Sequence, residues 1–215
     1  LESGPKTGGE NNNGAYVTLY GNGLTPTSTV TVGGGQAIVK AVPSAWLWYQ
    51  KMTIQLGAAA ATGTIVASTT NGTSNGLPFT VRAGNIYFVA TTGNDTNAGS
   101  FGQPWATLQH AHDTMVPGDV TYGMNGVQEG SAPNSDGNLI INNSGVSGQP
   151  VAIVAYPGAT VTIGQTGTSQ CTGLTCWTGV RNGLTYPQPT YWVFAGLNIR
   201  GQELAWDFAG NEAQV

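Results

Sequence analysis

Charge is what this chain has least of. Only 7% of its 215 residues are Asp, Glu, Lys or Arg, and six basic residues stand against ten acidic ones. A net charge of -4 without any basic cluster excludes the electrostatic footprint of a nucleic-acid-binding protein. No Lys follows Lys51, and Arg82, Arg181 and Arg200 are the only arginines. No apolar run approaches the ~20 residues that cross a bilayer, so no membrane span is expected. The chain opens Leu1-Glu2-Ser3-Gly4-Pro5 without a signal sequence, so export would imply earlier processing. Cysteine is nearly absent as well. Cys171 and Cys176 have no partners for a Zn site, because His110 and His112 lie far upstream and at i,i+2 point in different directions on a helix.

What replaces charge is Gly, Asn, Thr and Ser, with 33 glycines and a hydrophobic content of 40% that is ample for a core. This composition goes with secreted or cell-surface β proteins. Residues 1–84 carry alternating runs at Ala15–Tyr20, Thr29–Val32 and Met52–Leu56, a turn at Asn71-Gly72 and a closing strand Leu77–Val81. Short strands at this spacing predict a β-sandwich. Arg82-Ala-Gly-Asn85 is a very short linker. In 85–215 an aromatic strand Ile86–Val89 precedes a polar loop, and a helix is predicted over about 104–116, with Leu108, Ala111 and Met115 on one face and Pro117-Gly118 as its stop. Strands are predicted near 119–122, 138–142, 150–155, 159–163, 191–194, 197–200 and 205–208. Val151, Ile153, Val161, Ile163, Val193, Phe194, Leu197 and Ile199 are the candidate inward stack.

Residues 85 to 201 resemble the start of right-handed parallel β-helix proteins of the pectate-lyase-like superfamily. The matching motifs are the strand before Gly93-Asn94-Asp95, the Asn97-Ala98-Gly99 turn, Pro104-Trp-Ala-Thr-Leu108, Pro117-Gly-Asp119, Gly148–Gly158 with Val161–Ile163, and Tyr191–Gly201. The first domain resembles the Ig-like IPT/TIG domains, through Ser3-Gly4-Pro5, Tyr20-Gly-Asn-Gly23, Val30–Gly34 and Asn71–Val81, and departs from them at Leu24, where an aromatic is usual. Together the resemblances imply an all-β protein: an Ig-like sandwich followed by an incomplete right-handed parallel β-helix with one short N-terminal cap helix.

Candidate chemistry is sparse. The lyases and hydrolases of that superfamily use Lys or Arg bases, Ca²⁺ carboxylates or clustered Asp, whereas the acidic residues here are scattered. Asp95 and Asn97 fit the first half of a Ca²⁺ loop, but the twelfth position is Ala106, which leaves an Asx-turn as the ordinary reading. No cofactor and no catalytic residue is therefore assigned; neither His110 nor His112 has a local partner for a triad. Trp46 and Trp48, read as one side of a strand with Leu47 and Tyr49 on the other, and Tyr191 beside Trp192, are candidate carbohydrate contacts, with core packing as the alternative. Asn71, Asn94 and Asn142 open glycosylation sequons, relevant only in a host that uses them.

These observations point to an extracellular or cell-surface, non-catalytic structural or adhesive module that contacts polysaccharide. The alternative is the N-terminal part of a polysaccharide lyase or glycoside hydrolase whose catalytic residues lie beyond residue 215. Ala205–Ala209 and Gln214-Val215 still read as solenoid strands, so either further coils follow or copies stack head to tail into filaments. Cys171 and Cys176 form either a small local disulfide or two unpaired thiols, and Gly173 favours the disulfide by letting the segment turn tightly. Non-reducing mass spectrometry of the intact chain is expected to give a mass two hydrogens below the reduced form; equal masses would overturn the bond.

Overall fold

The structure, a computed structural model, describes residues 1–46, 48–130, 139–164, 178–182, 189–200 and 204–207. Cys171 and Cys176 lie outside them. The chain is mostly β and divides into two compact units, Leu1–Ile86 and Tyr87–Val215.

The first unit contains β1 (Ser3–Gly4), a 3-10 turn (Glu10–Asn12), β2 (Tyr16–Gly21), β3 (Thr29–Val32), β4 (Gly35–Gln36), β5 (Ile38–Trp46), β6 (Tyr49–Gln55), β7 (Gly63–Thr69), β8 (Gly72–Thr73) and β9 (Leu77–Val81). They form one sheet ordered β1-β9-β7-β3-β4, with β8 beside β7, and a second ordered β2-β6-β5. Strand periodicity supplies the core. Val30, Val32, Ile65, Ala67 and Phe79 of the first sheet and Val17, Leu19, Met52 and Ile54 of the second are all buried. Two strands have weak sequence signals. In β5, Pro43 and two register shifts, between Val39 and Ala41 and between Ala41 and Ser44, break the alternation. In β7, the Ala and Ser of Gly63–Thr69 dilute the β-branched residues.

The second unit follows as β10 (Ile86–Val89), α1 (Leu108–Thr114), β11 (Val120–Gly123), β12 (Gln128–Glu129), β13 (Leu139–Ile141), β14 (Val151–Ala155), β15 (Thr162–Ile163), β16 (Thr178–Asn182), β17 (Trp192–Ala195), β18 (Asn198–Ile199) and β19 (Leu204–Asp207). The pairing is regular: each strand from β11 to β16 pairs in parallel with the strand three places later. Three ladders result, β10-β11-β14-β17, β12-β15-β18 and β13-β16-β19. Val89, Val127, Leu139, Ile141, Val151, Ile153, Val161 and Ile163 form the common core, with Phe194, Leu197 and Ile199 packed against it. Val193 is not part of that cluster. Trp192 and Phe194 stand opposite Val151 and Ile153 in the register, so they continue the inward row and Val193 falls on the other side. Gly123 is required by this packing, since a Cβ there would approach both methyls of Val161 to 2.9 Å.

The helix is shorter than the 104–116 expected from sequence. Pro104 does not sit in its first turn: Trp105 is extended, bridging to Val89 and exchanging backbone hydrogen bonds with Phe88 and Ala90, so the chain cannot turn helical until Thr107. Thr107 is the N-cap, its hydroxyl accepting from the His110 N–H at 3.1 Å. Leu108, Ala111 and Met115 face the core as periodicity predicts. Leu108 is fully buried, and Leu108→Ala is expected to cost about 2 to 5 kcal/mol. A chemical-denaturation change below about half a kcal/mol would show that α1 does not cover that core.

Candidate functional site

In the β2-β6-β5 sheet of the first unit, one face is divided between a roof and a bare aromatic surface. Register places Tyr16 opposite Gln55 and Tyr20 opposite Lys51; with Tyr49 two residues before Lys51, all of these share a face. The N-terminal segment covers one half of it. Gln55, almost fully buried, donates to the carbonyls of Glu10 and Gly14 at 3.2 Å each, and the Glu10 carboxylate accepts from the Tyr16 hydroxyl and from Lys40 Nζ at 2.7 Å. The other half carries Tyr20 and Tyr49, which are 51% and 50% exposed, and the adjoining turn carries Trp48 at 83%.

The sequence reading of Trp46 and Trp48 as one side of a single strand is corrected here. β5 ends at Trp46 and β6 begins at Tyr49, whose backbones pair, so Trp48 belongs to the reversal between them. A tight hairpin built without Gly, Asn or Pro at the turn leaves no turn signal to read. Tyr49, assigned to the opposite side, is the aromatic that shares the exposed face with Tyr20.

Tyr191, the remaining candidate contact, is 53% exposed and has φ 57°, a left-handed conformation that a bulky side chain rarely adopts. Its carbonyl accepts from the Val151 N–H at 3.0 Å, which holds the segment in place at the start of β17. Trp192, next to it, turns inward and stacks on Phe194 with ring centroids 5.4 Å apart. The two neighbours thus part company, one exposed and one packed.

Asp95 and Asn97 work on the helix entry. The Asp95 carboxylate accepts from the amides of Ala106 and Thr107 at 2.8 and 3.0 Å and from the Thr107 hydroxyl at 2.9 Å. Asn97 donates to the Pro104 carbonyl, and its own carbonyl accepts from the Trp105 indole, both at 2.9 Å. The Asx-turn of this loop belongs to Asn94, whose Oδ1 takes the Thr96 N–H. Gly99, at φ +72°, lies under the Trp105 ring, where a Cβ would come within 2.5 Å of an indole carbon. Glu129 also reaches the start of α1, accepting from the Leu108 amide at 2.6 Å. Burial raises its carboxyl above the ordinary range, the amides of Leu108 and Gln109 pull it back, and Asp95 adds a further rise. Among the described residues no three His, Cys, Asp or Glu side chains converge as a metal site.

Sequence reasoning missed the polar set on the far side of α1. His112 is fully buried, and Asp113, the adjacent residue, meets its Nδ1 at 2.7 Å. Gln109 donates to the same Asp113 oxygen at 2.9 Å. A hydrogen-bonded His and Asp so close in sequence were legible as a pair only once both were known to lie on the last turn of one helix. Asp95→Ala is expected to cost about 1 to 3 kcal/mol through the lost bonds to the Ala106 and Thr107 amides and the Thr107 hydroxyl. If the carboxylate serves the helix and not a cation, chelator leaves the wild-type melting midpoint unchanged.

No protein-family model matches the chain, and no curated protein matches it. A solved structure described as a complex of XylC with xylose aligns with 36% of this chain and 11% of that one, at 26% identity and a TM-score of 0.30. The chain thus spans about a tenth of that protein's length, and a likeness this limited carries no argument about fold or function.

Proposed function

We propose that this chain is a non-catalytic extracellular or cell-surface module that contacts polysaccharide through exposed aromatic side chains. The carrying observation is the half-roofed sheet face of the first unit, where Tyr20, Tyr49 and Trp48 are left exposed beside a segment that the N-terminus covers. Aromatic rings on a stiff strand or tight hairpin offer flat apolar area at low entropic cost, and sugar C–H groups pack on such faces. The strained, exposed Tyr191 is a second such ring, in the other unit. Left-handed strain at a bulky residue points to a role for its side chain.

In the same reading the first unit is an Ig-like sandwich of IPT/TIG type, and the second is the cap and first coils of a right-handed parallel β-helix. Support for the latter comes from the three parallel ladders, in which each strand from β11 to β16 pairs with the strand three places later around one apolar core. The carboxylates Asp95, Asp113, Asp119 and Glu129 support a structural role over a catalytic one. Each accepts a hydrogen bond that fixes the backbone or the side chains of α1 and its exit, Asp119 from the Val116 amide at 3.0 Å.

Affinity electrophoresis of the chain through neutral and uronic-acid polysaccharides tests this directly. Retardation by at least one polymer is expected, and Trp48→Ala or Tyr49→Ala should each weaken it by about three- to tenfold, the worth of one aromatic contact, with an unchanged melting midpoint. Binding to none of the polymers, or equal binding by both variants, would overturn the proposal. Unsaturated uronate ends released by the chain would favour the lyase reading instead.

A further inference from the structure

Among the described residues no strand lies beside the edge of β13 that faces α1, and side chains of the helix take a strand's place. Gln109 accepts from the Ile140 N–H at 2.9 Å and donates to the Ile140 carbonyl at 3.2 Å. One residue pair further, the Asn142 N–H donates to His112 Nε2 at 3.1 Å. That bond settles the tautomer: Nε2 accepts, so the proton of the neutral ring is on Nδ1 and is given to Asp113 Oδ1 at 2.7 Å. The ring is fully buried and stacks on Trp192, centroids 5.5 Å apart and planes 18° from parallel. Asn143 ties the same corner. Its Nδ2 donates to the carbonyls of His112 and Met115 at 2.8 and 3.4 Å, and its backbone carbonyl accepts from the Trp192 indole at 2.8 Å.

Asn143 Oδ1 is the exception: it is buried and, among the described residues, accepts from no donor. A buried acceptor without a donor is costly, and this one belongs to a side chain that bonds the His112 carbonyl through its Nδ2 and acts on the His112 ring as a hydrogen-bond partner of the charged form. We propose that His112 is a proton-operated latch between α1 and β13: neutral, it binds the Asn142 N–H, and on gaining a proton at Nε2 it keeps that proton, donates a hydrogen bond through it to the unpaired Asn143 Oδ1 and releases the Asn142 amide from the helix. The step is a single protonation: an N–H bond forms at Nε2 as hydronium gives up a proton and becomes water, and otherwise only hydrogen bonds change. The neutral state leaves the buried Asn143 Oδ1 unpaired, whereas the charged state pairs it and releases the amide of Asn142, an exposed residue that water can reach, so the two arrangements compete closely.

The electrostatics set where the latch operates. Burial is the largest influence and lowers the His112 pKa below the ordinary histidine value, against the favourable hydrogen bond and charge of Asp113 and the side chain of Asn143, both of which stabilise the charged ring. The groups facing it are Asp113 and Gln109 from α1, Asn142 and Asn143 after β13, and Trp192 from β17; on the next strand, Arg181 stands opposite Ile140 in the backbone register. Unfolded histidine takes its proton near pH 6.5, whereas the folded ring takes it only at lower pH. The unfolded state therefore binds more protons between those two values, and the stability contributed by the neutral ring is lost as pH falls below about 6.5.

The test follows the intact chain by NMR from about pH 7.5 to about pH 4.5, spanning the histidine range. The His112 ring nitrogens report its protonation, and amide exchange, corrected for the intrinsic rate, reports protection at Asn142 and at Ile153 in the core. As the ring converts from the Nδ1–H form to the doubly protonated one, protection at Asn142 is expected to fall about tenfold in the same step while Ile153 keeps its own. His112→Gln offers an acceptor that does not titrate, so it should retain the Asn142 protection at every pH and lose the step. Three results would each overturn the latch: constant protection at Asn142 while the ring titrates, simultaneous loss at Asn142 and Ile153, or a step that persists in His112→Gln. If that variant does not fold, the wild-type titration decides alone.

Discussion

A parallel strand ladder needs a partner for its first strand, and in the second unit the exposed backbone of β13 is the constraint around which α1 is arranged. An N–H or C=O left without a partner in a buried corner costs as much as a lost hydrogen bond. Gln109 fits this demand because its amide carries both a donor and an acceptor, matching the N–H and C=O of Ile140 as a neighbouring strand would. His112, one turn along, meets the next N–H on that edge. The helix thereby does two jobs from two faces. Leu108, Ala111 and Met115 bury apolar area in the core, and Gln109 with His112 completes a hydrogen-bond ladder. The polar face explains why the helix occurs at this place, since apolar residues alone would cover the core and still leave the strand edge open.

The N-terminal segment of the first unit solves a similar problem with different groups. Gln55 and the Glu10 carboxylate hold the segment over half of a sheet face through four hydrogen bonds of modest individual worth. Two of those bonds involve a carboxylate in a partly buried setting, where charge-assisted bonds are stronger than neutral ones. What the roof does not reach is aromatic. A sheet face that is polar and pinned at one end and ringed by Tyr20, Tyr49 and Trp48 at the other has its two halves adapted to different environments, one dry and one wet.

Much of the β architecture was legible because strand signals are local. The strands at 29–32 and 77–81 fall where alternation puts them, and in the second unit those at 120–123, 139–141, 151–155, 192–195, 198–199 and 204–207 lie within a residue or two of expectation. What escaped depends on context. β12 is only Gln128–Glu129, and its extended state follows from parallel pairing with β15 rather than from its own composition. The helix start was misplaced because Pro104 and Trp105 satisfy the local rules for a helical first turn, while the Trp105 backbone is claimed by Phe88 and Ala90 far earlier in the chain. The candidate site was less legible than the fold for the same reason: exposure of Trp48 depends on where β5 reverses, and burial of His112 on a strand edge some thirty residues away.

The scarcity of charge then has a structural consequence. In the second unit the carboxylates Asp95, Asp113, Asp119 and Glu129 are used on backbone amides or on the side chains of one helix, at distances where charge-assisted bonds act. A surface built from Gly, Asn, Thr and Ser offers hydrogen bonds without strong desolvation penalties, since an amide or hydroxyl gives up water far more cheaply than an ion does. A partner of the same character, rich in hydroxyls and poor in charge, exchanges water-mediated bonds for direct ones at nearly equal energy, and aromatic faces then supply the net attraction. Affinity of that kind is modest for each contact and grows by repetition. In the proposed reading it suits a long polymer better than a small soluble ligand, because a polymer would present many equivalent units to the same aromatic side chains.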